Sequence, residues 1–168
     1  MVGSSAQEMV DIVDDENQVV ATVTRAEMRA KCLQHRAVSI AVMGSDGRLL
    51  VHRRAADKDL WPGMWDLAAG GVVAAGETYE DAAHRELAEE LGVHVDTLQC
   101  LGEGRFCDQS VALIGRGYLT VHDGPFTFTD GEIDQVRWVT RAELTELMVA
   151  ERFVPDNVAL LLPLLDAR

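Results

Sequence analysis

The sequence predicts an α/β (α+β) fold in which a mixed β-sheet lies between helices. Two strand-like segments at 37–43 and 48–54 flank the turn GSDG, a helical pattern follows near residue 79, and alternating segments come after it. No repeat or low-complexity linker interrupts the chain, so strands and helices are expected to pack as layers around one core. With 168 residues and 48% apolar residues, a single domain over 1–168 is expected.

The first 35 residues are predicted to form a β-hairpin and a helix ahead of the main sheet. MVDIV (9–13) and QVVATV (18–23) flank the polar sequence DDEN, which is typical of a hairpin. RAEMRAKCL (25–33) has helical character. AVSIAVM (37–43) and RLLVHRR (48–54) then read as central strands, so the hairpin and helix form an N-terminal extension over residues 1–35.

A helix is predicted to begin near Tyr79. Thr78 can accept the first hydrogen bonds, and Asp81 places a negative charge in the first turn. Gly92 is the natural residue to end this helix. The preceding residues 55–64 contain a Pro-Gly pair and are predicted to be a loop.

The last third of the chain is predicted to add strands and two helices. Residues 96–108 and 110–121 alternate as antiparallel strands, and 132–140 is a further short strand. Thr140 can cap a helix over 141–150. A closing amphipathic helix is expected over 155–167, where Pro163 is expected to bend or shorten it.

Composition excludes several kinds of protein. A formal charge of −13 argues against a duplex nucleic-acid partner, which requires clustered Lys and Arg. Cys32, Cys100 and Cys107 have no CxxC spacing, so neither a disulfide framework nor a zinc site is predicted. The N-terminus does not resemble a signal peptide, and the apolar stretch 158–165 is too short to span a bilayer. A soluble cytoplasmic protein without a membrane partner is expected.

The predicted helix carries three glutamates within a sector of about 100°. These are Glu86, Glu89 and Glu90, and an apolar stripe of Ala83, Leu87 and Leu91 lies on another side of the helix. Such a group of carboxylates is either spread in solvent or neutralised by a cation. An oxygen-only ligand set favours Mg2+, with Mn2+ as a substitute.

The spacing of the residues around these glutamates is more specific than the glutamates themselves. The fixed positions are Gly71, Glu77, Arg85, Glu86, Leu87, Glu89, Glu90, Gly92 and Val93. At ordinary residue frequencies, a chance match to this pattern is on the order of one in a million. The segment 71–93 matches the Nudix box, so the chain resembles the Nudix hydrolases, which cleave diphosphate linkages in nucleoside diphosphate derivatives.

This resemblance implies an α/β/α sandwich and a role for each residue of the box. Glu89 and Glu90 would bind the metal together with the backbone carbonyl of Gly70. Glu86 would be a further ligand or the general base, and Arg85 would orient the glutamates. Gly71, Glu77 and Gly92 would then be structural positions of the motif.

Outside the box, the chain resembles the isopentenyl diphosphate isomerase branch of the same superfamily. The hairpin, the helix and the segment LLVHRRAADKDLWPGMW carry this likeness. However, Gly70 stands where the isomerase cysteine is expected, and Val72 and Met28 replace two metal-binding histidines, whereas His35 remains. Loss of one acid–base group is worth about 100- to 10,000-fold in rate, so hydrolysis is favoured over isomerisation.

Further residues are candidates for catalysis and substrate binding. Glu132 precedes a strand where many family members carry an additional glutamate, so Glu132 and Glu86 are alternative bases. Arg53 and Arg54 end a strand, so alternation sends one to each face and either one can contact phosphate. Trp61 can stack on a base or pack in the core.

Three functions therefore remain from the sequence. The first is Mg2+-dependent hydrolysis of a nucleoside di- or triphosphate or a nucleoside diphosphate-linked compound, by water attack on phosphorus. The second is isopentenyl diphosphate isomerisation, and the third is non-catalytic nucleotide sensing. The partner is a small phosphorylated molecule in each case, whereas its base, sugar and leaving group, the number of metals and the oligomeric state are not encoded in readable motifs.

Overall fold

The elements of the protein follow the predicted order, and the computed structural model describes residues 5–128 and 131–168. The elements are a 3-10 helix (Ser5–Gln7), β1 (Met9–Val13), β2 (Val19–Thr24), α1 (Arg25–Ala30), β3 (His35–Met43), β4 (Leu49–Arg54), β5 (Trp65–Asp66), β6 (Ala69–Val72), α2 (Tyr79–Leu91), β7 (Gln99–Cys107), β8 (Ala112–Val121), β9 (Ile133–Val139), α3 (Arg141–Ala150) and α4 (Pro155–Asp166). Residues 1–4 of the predicted extension lie outside the described residues. The short strands β5 and β6 are additions to the predicted set.

The sheet is mixed, as predicted, and β3 is its central strand. β3 runs parallel to β8 from the pair His35↔Leu113 to the pair Met43↔Val121. β6 and β1 pair with β3 in the antiparallel sense. β4 joins β3 at the turn between them and pairs antiparallel with β9 and β5. The adjacent parallel strands β3 and β8 are therefore distant in sequence.

Helices cover both faces of this sheet. Val38, Ile40 and Val42 of β3 pack in one cluster with Leu87 and Leu91 of α2. Ala41 of β3 faces the opposite side of the sheet and packs in a second cluster with Leu144 of α3 and Leu161 of α4. The α/β/α sandwich is thereby confirmed.

The N-terminal hairpin and α1 have a small core of their own. Val10, Ile12, Met28 and Val72 are buried together, so β6 forms one wall of this cluster. Thr24 caps α1 by accepting a hydrogen bond from the Glu27 N–H at 3.2 Å. The extension is consequently packed against the strand that leads into the predicted box.

Local capping determines the limits of α2. The hydroxyl of Thr78 accepts a hydrogen bond from the Asp81 N–H, and Gly92 adopts a left-handed conformation with φ of 65°. Both ends agree with the prediction. By contrast, Pro163 does not shorten α4, which continues to Asp166. Among the described residues, no helix combines the length and the apolar character needed to cross a bilayer.

Candidate active site

A large cavity of about 1190 Å3 lies between α2, the N-terminal extension, the 57–61 loop and the start of α4. It is lined by the predicted site residues Arg54, Trp61, Gly70, Gly71, Arg85, Glu86, Glu89, Glu90 and Glu132. The fold thus brings together residues from β4, β6, α2 and the segment before β9. Of the predicted contacts with substrate or metal, Arg53 is absent from this lining.

Arg85 is the centre of a hydrogen-bond network beside the glutamate wall, by which we mean Glu86, Glu89 and Glu90 of α2. Its Nε and Nη2 each donate to the Glu77 carboxylate at 2.9 Å, and Nη2 also donates to the Val72 carbonyl at 3.1 Å. The hydrogen bonds to Glu77, with a smaller contribution from Glu86, raise the pKa of Arg85. Burial acts to raise the pKa of Glu77, but hydrogen bonds from Arg85 and from the Ala74 N–H outweigh it, so that pKa is lowered.

The third guanidinium nitrogen of Arg85, Nη1, donates hydrogen bonds to two of the glutamates. It donates to Glu86 Oε1 at 2.7 Å and to Glu89 Oε2 at 3.4 Å. A Cβ on Gly71 would lie only 2.4 Å from Glu86 Oε1. The motif glycine therefore leaves the space that the Glu86 carboxylate occupies, and the motif arginine fixes its direction.

Glu90 is buried on the floor of the cavity. Its Oε2 accepts a hydrogen bond from the Gly70 N–H at 3.3 Å. Burial raises the pKa of Glu90 well above its ordinary value, and repulsion from Glu86 and Glu132 adds to the effect. Burial also raises the pKa of Glu86, although Arg85 partly opposes this. Two acids thus lie side by side out of solvent.

The three glutamates share one wall but are not yet arranged as a ligand set. Within the described residues, no group of three His, Cys, Asp or Glu side chains is close enough to hold a metal ion. Arg85 holds Glu86 and Glu89, while Glu90 turns toward the Gly70 N–H. The contact of Gly70 is thus through its N–H, whereas the predicted metal contact is through its carbonyl; the ligand set stays a prediction.

Cationic side chains face the glutamates from β4 and the loop that follows it. Arg54 is half-buried, donates from Nε to the Leu60 carbonyl at 3.2 Å, and places Nη1 3.9 Å from Asp66. Lys58 makes an ion pair with Glu132. Arg53, on the other side of the strand, instead pairs with Asp134 in an exposed position. Alternation along β4 therefore directs Arg54 to the cavity.

The two tryptophans that flank the PGM turn have different environments. Trp65 is buried in the core cluster with α3 and α4. Trp61 is partly exposed at the cavity wall and has a φ of 49°, which is unusual for a residue with a Cβ. Of the two rings, that of Trp61 is in a position to meet a ligand.

A buried chain of polar residues in the lining of the cavity was not predicted. The Ser39 hydroxyl hydrogen-bonds to the Asn157 side chain, whose Nδ2 donates to Asp66 Oδ1 at 2.7 Å. Burial, reinforced by the nearby Asp156, raises the pKa of Asp66 to about 7. Asp66 and Asn157 are 91 positions apart, so no local pattern joins them. Arg25 and Arg29 of α1 also line the cavity, and only their spacing of four offered a signal.

The comparison with known families identifies the group to which this arrangement belongs. Residues 33–160 match the NUDIX domain. The chain belongs to the Nudix family. The match begins just before β3 and ends within α4, so it includes the glutamate helix and both sheet faces, whereas the hairpin and α1 precede it.

Relatives of similar length are themselves named Nudix hydrolases. The uncharacterized Nudix hydrolase YfcD of Escherichia coli K12 is 40% identical over 154 residues, which cover 92% of this chain and 84% of YfcD. The uncharacterized Nudix hydrolase PA4841 of Pseudomonas aeruginosa is 35% identical over 164 residues, which cover 98% of this chain and 97% of PA4841. The protein is accordingly a Nudix hydrolase.

Solved structures show the same fold. The crystal structure of DR0079 from Deinococcus radiodurans has a TM-score of 0.69 and 29% identity, covering 85% of this chain and 90% of its own. The NUDIX domain of Shewanella oneidensis NrtR, solved with ADP-ribose, has a TM-score of 0.57 and 20% identity, covering 74% of this chain and 88% of its own. The second likeness concerns the fold alone.

The packing at three positions bears on the isomerase alternative that the sequence resemblance raised. A Cβ on Gly70 would lie 2.1 Å from the Val38 carbonyl oxygen, so a cysteine does not fit on this backbone. Met28 and Val72, at the positions of two isomerase histidines, are packed together in the apolar cluster of the N-terminal extension. His35 is buried beside them, with Nδ1 2.9 Å from the Leu33 carbonyl.

Proposed function

We propose that this Nudix hydrolase uses Mg2+ to cleave a diphosphate linkage in a nucleoside di- or triphosphate or a nucleoside diphosphate-linked compound. The observation that carries the proposal is the position of Glu86 and Glu90. Both are buried in the lining of a cavity that also contains the side chains of Arg54 and Lys58. Paired acids facing cations suit a substrate with negative oxygens and a cation between them.

The residues fit a divalent metal in their donor chemistry. Burial raises the pKa of Glu86 and that of Glu90, because two carboxylates out of solvent are costly without a cation. Glu86, Glu89, Glu90 and the Gly70 carbonyl offer oxygen atoms only, which suits Mg2+ and allows Mn2+. When bound, such a metal supplies neutralisation of the phosphate oxygens and a lower pKa for an attacking water.

The chain itself orients the substrate and moves the proton. Arg54 and Lys58 bind phosphate oxygens, and Arg85 fixes the direction of Glu86. Lys58 makes an ion pair with Glu132 in the structure. When the Lys58 ammonium moves to a phosphate, Glu132 loses this ion pair. We propose Glu132 as the base that accepts the proton of the attacking water. Glu86 is the alternative base: it accepts a hydrogen bond from Arg85, although burial keeps its pKa above the ordinary value.

The remaining features agree with a nucleotide substrate in a reducing compartment. Trp61 presents a ring at the cavity wall, where a base can stack. Cys32, Cys100 and Cys107 are free thiols, which fits the cytoplasm. No duplex nucleic acid or membrane partner is proposed, because the charge of −13 opposes the first and no sequence feature supports the second.

The test is a panel of nucleotides and diphosphate conjugates assayed with Mg2+ for phosphate-bearing products. ADP-ribose belongs in the panel because the NrtR domain was solved with it. Glu90→Gln is expected to lose at least about 100-fold in turnover, while Glu146→Gln on the exposed side of α3 is the matched control. Turnover of isopentenyl diphosphate alone would indicate an isomerase, and binding without turnover a sensing module.

The base is identified separately by comparing Glu132→Gln with Glu86→Gln. The variant that removes the base is expected to lose the acidic limb of the pH–rate profile as well as turnover. A variant that disturbs only metal binding keeps that limb and recovers part of its rate at higher Mg2+ concentration. Loss of the limb in Glu86→Gln alone would reverse the proposed assignment.

A further inference from the structure

Arg29 of α1 faces the cavity with an unsatisfied donor. Its Nε is buried and has no hydrogen-bond partner within residues 5–128 and 131–168. Arg25, four residues earlier and on the same side of α1, also lines the cavity, but it makes an ion pair with Glu8 at 3.2 Å. Within the described part of the chain, Arg29 is therefore the member of this pair with a buried donor that makes no hydrogen bond.

In the ligand-free protein, the surroundings of Arg29 disfavour its positive charge. Burial lowers the pKa of Arg29, and the neighbouring Arg25 and Arg54 lower it further, although Asp59 and Asp156 act in the opposite direction. A buried donor on a charged group is costly when it makes no hydrogen bond. An anion in the cavity beside Arg29 would satisfy the donor and offset the repulsion from the other arginines.

The position of α1 in the chain separates this feature from the common diphosphate chemistry. The NUDIX domain spans residues 33–160, whereas Arg25 and Arg29 belong to the extension before it. The glutamates, Arg54 and Lys58 all lie inside that range. The extension thus adds cationic groups to a cavity that already contains the residues proposed for the diphosphate.

The size of the cavity allows a ligand with more than one anionic region. Its volume of about 1190 Å3 is above the range of roughly 300–1,000 Å3 that is usual for ligand pockets. The cavity is continuous from the glutamates of α2 to the arginines of α1, because residues of both helices line it. One extended molecule can therefore contact both walls.

We infer that Arg29, with Arg25 beside it, binds a phosphate monoester that the substrate carries apart from the diphosphate that is cleaved. This inference rests on the proposed function and specifies its substrate class. A guanidinium offers two parallel N–H donors to a phosphate, and each such charge-assisted bond is strong. The preferred substrates are then nucleoside diphosphate conjugates with an additional phosphorylated hydroxyl.

The test uses compounds that differ only in this phosphate. Two matched pairs are NADPH with NADH, and coenzyme A with 3′-dephospho-coenzyme A. The wild type is expected to favour the phosphorylated member of at least one pair in kcat/KM. Arg29→Gln is expected to lower kcat/KM for that member by about 10- to 100-fold and to leave the dephosphorylated member within about twofold.

Lys31→Gln is the matched control. Lys31 follows α1, carries the same charge and is exposed, with 63% of its side chain in contact with solvent. Its loss is expected to change neither member of a pair. Arg29→Lys keeps the charge but not the two parallel N–H donors of the guanidinium, so it is expected to recover part of the preference.

A stability measurement separates ligand binding from a structural role. Because the buried Nε of Arg29 makes no hydrogen bond, Arg29→Gln is expected to keep or raise the Tm of the ligand-free protein. A lower Tm together with equal losses for both members of a pair would show that Arg29 supports the fold or the diphosphate, and would overturn the inference. An unchanged preference in Arg29→Gln would overturn it as well.

Failure of the proposed function has a different signature. If the wild type hydrolyses no compound of either pair, titration calorimetry on the same four compounds still shows whether Arg29 binds the additional phosphate. Binding of the phosphorylated member about 10-fold more tightly, with loss of that preference in Arg29→Gln, supports the subsite without hydrolysis. Equal dissociation constants within both pairs would reject the subsite.

Discussion

Glu77 and Arg85 form a bidentate ion pair in which both nitrogen–oxygen distances are 2.9 Å. Glu77 lies before the helix, and Arg85 lies in its second turn, so the pair ties the loop to the glutamate wall. The same guanidinium holds Glu86 and reaches Glu89. The orientation of the proposed metal ligands therefore depends on a carboxylate that is not itself proposed to touch the metal.

Glu77→Gln is expected to lower turnover by about 10- to 100-fold, because Arg85 loses its charged partner and no longer holds Glu86 in one direction. The same change is expected to lower the free energy of unfolding by about 1–3 kcal/mol at pH 7. The measurements are steady-state kinetics and chemical denaturation, with Glu80→Gln at an exposed position of α2 as control. Wild-type kinetics in Glu77→Gln would contradict this role for the pair.

The pH dependence of this variant has a definite sign. The pKa of Glu77 is lowered in the folded protein, so its stabilising contribution is complete above its unfolded pKa and is lost as the pH falls through the lower folded pKa. The difference in unfolding free energy between wild type and Glu77→Gln should therefore shrink below about pH 4. A difference that grows on acidification would be inconsistent with this ion pair.

Gly70→Ala and Gly71→Ala are expected to fail in different ways. A Cβ on Gly70 would meet the Val38 backbone oxygen at 2.1 Å, whereas one on Gly71 would meet the Glu86 carboxylate at 2.4 Å. Backbone cannot move aside easily, so Gly70→Ala should cost about 1–3 kcal/mol or more of stability. Gly71→Ala should instead displace Glu86 and reduce turnover, with a smaller change in Tm. Equal stability losses in the two variants would contradict this distinction.

His52 is predicted to make the folded state sensitive to acid. Burial, together with the charges of Arg54 and Lys58, lowers the pKa of His52 to about 3. The unfolded chain then binds the proton first, so the contribution of neutral His52 is complete above about pH 6.5 and decreases as the pH falls toward 3. Denaturation at pH 7 and pH 5 should show that the wild type loses about 2 kcal/mol more than His52→Gln.

The control for this measurement is His94→Gln, because His94 is exposed. Its loss of stability between the two pH values should equal that of the wild type. If His52→Gln also follows the wild type, His52 is not the group that titrates on unfolding.

Magnesium is expected to stabilise the wild type and to have no such effect on Glu90→Gln. In the absence of metal, the amide removes a buried charge that repels Glu86, so the Tm of the variant should equal or exceed that of the wild type. At about 100 times the dissociation constant, bound Mg2+ adds about 2.7 kcal/mol to wild-type stability. Thermal melting with and without Mg2+ tests both statements, and an equal Mg2+ effect on both proteins would exclude Glu90 as a ligand.

Features that depend on local sequence could be predicted, and the glutamate helix is the best example. Its limits follow from Thr78 and Gly92, whose capping contacts reach only a few residues along the chain. The common cavity position of Glu86, Glu89 and Glu90 follows from helical periodicity. Alternation predicted that only one of Arg53 and Arg54 faces the site, but which of them does so depends on the sheet.

Contacts between distant segments could not be predicted in the same way. The hydrogen bond from Asn157 to Asp66 joins α4 to the short strand β5, and neither residue has a neighbour in sequence that signals it. The buried Nε of Arg29 likewise depends on how the extension packs against the cavity. The hydrogen bond from the Gly70 N–H to Glu90 was not foreseen either, whereas the metal contact of the Gly70 carbonyl stays a prediction.

The parallel pairing of β3 with β8 constrains when this catalytic centre can be assembled. α2 leaves the ribosome before β8, yet its apolar side rests on a cluster that includes Tyr118 of β8 as well as Ile40 of β3. A nascent chain that ends before residue 112 therefore has the glutamate helix without the packing that Tyr118 contributes. Since such long-range pairing is slow to form, we expect the core beneath the glutamate helix to be completed at a late stage of folding.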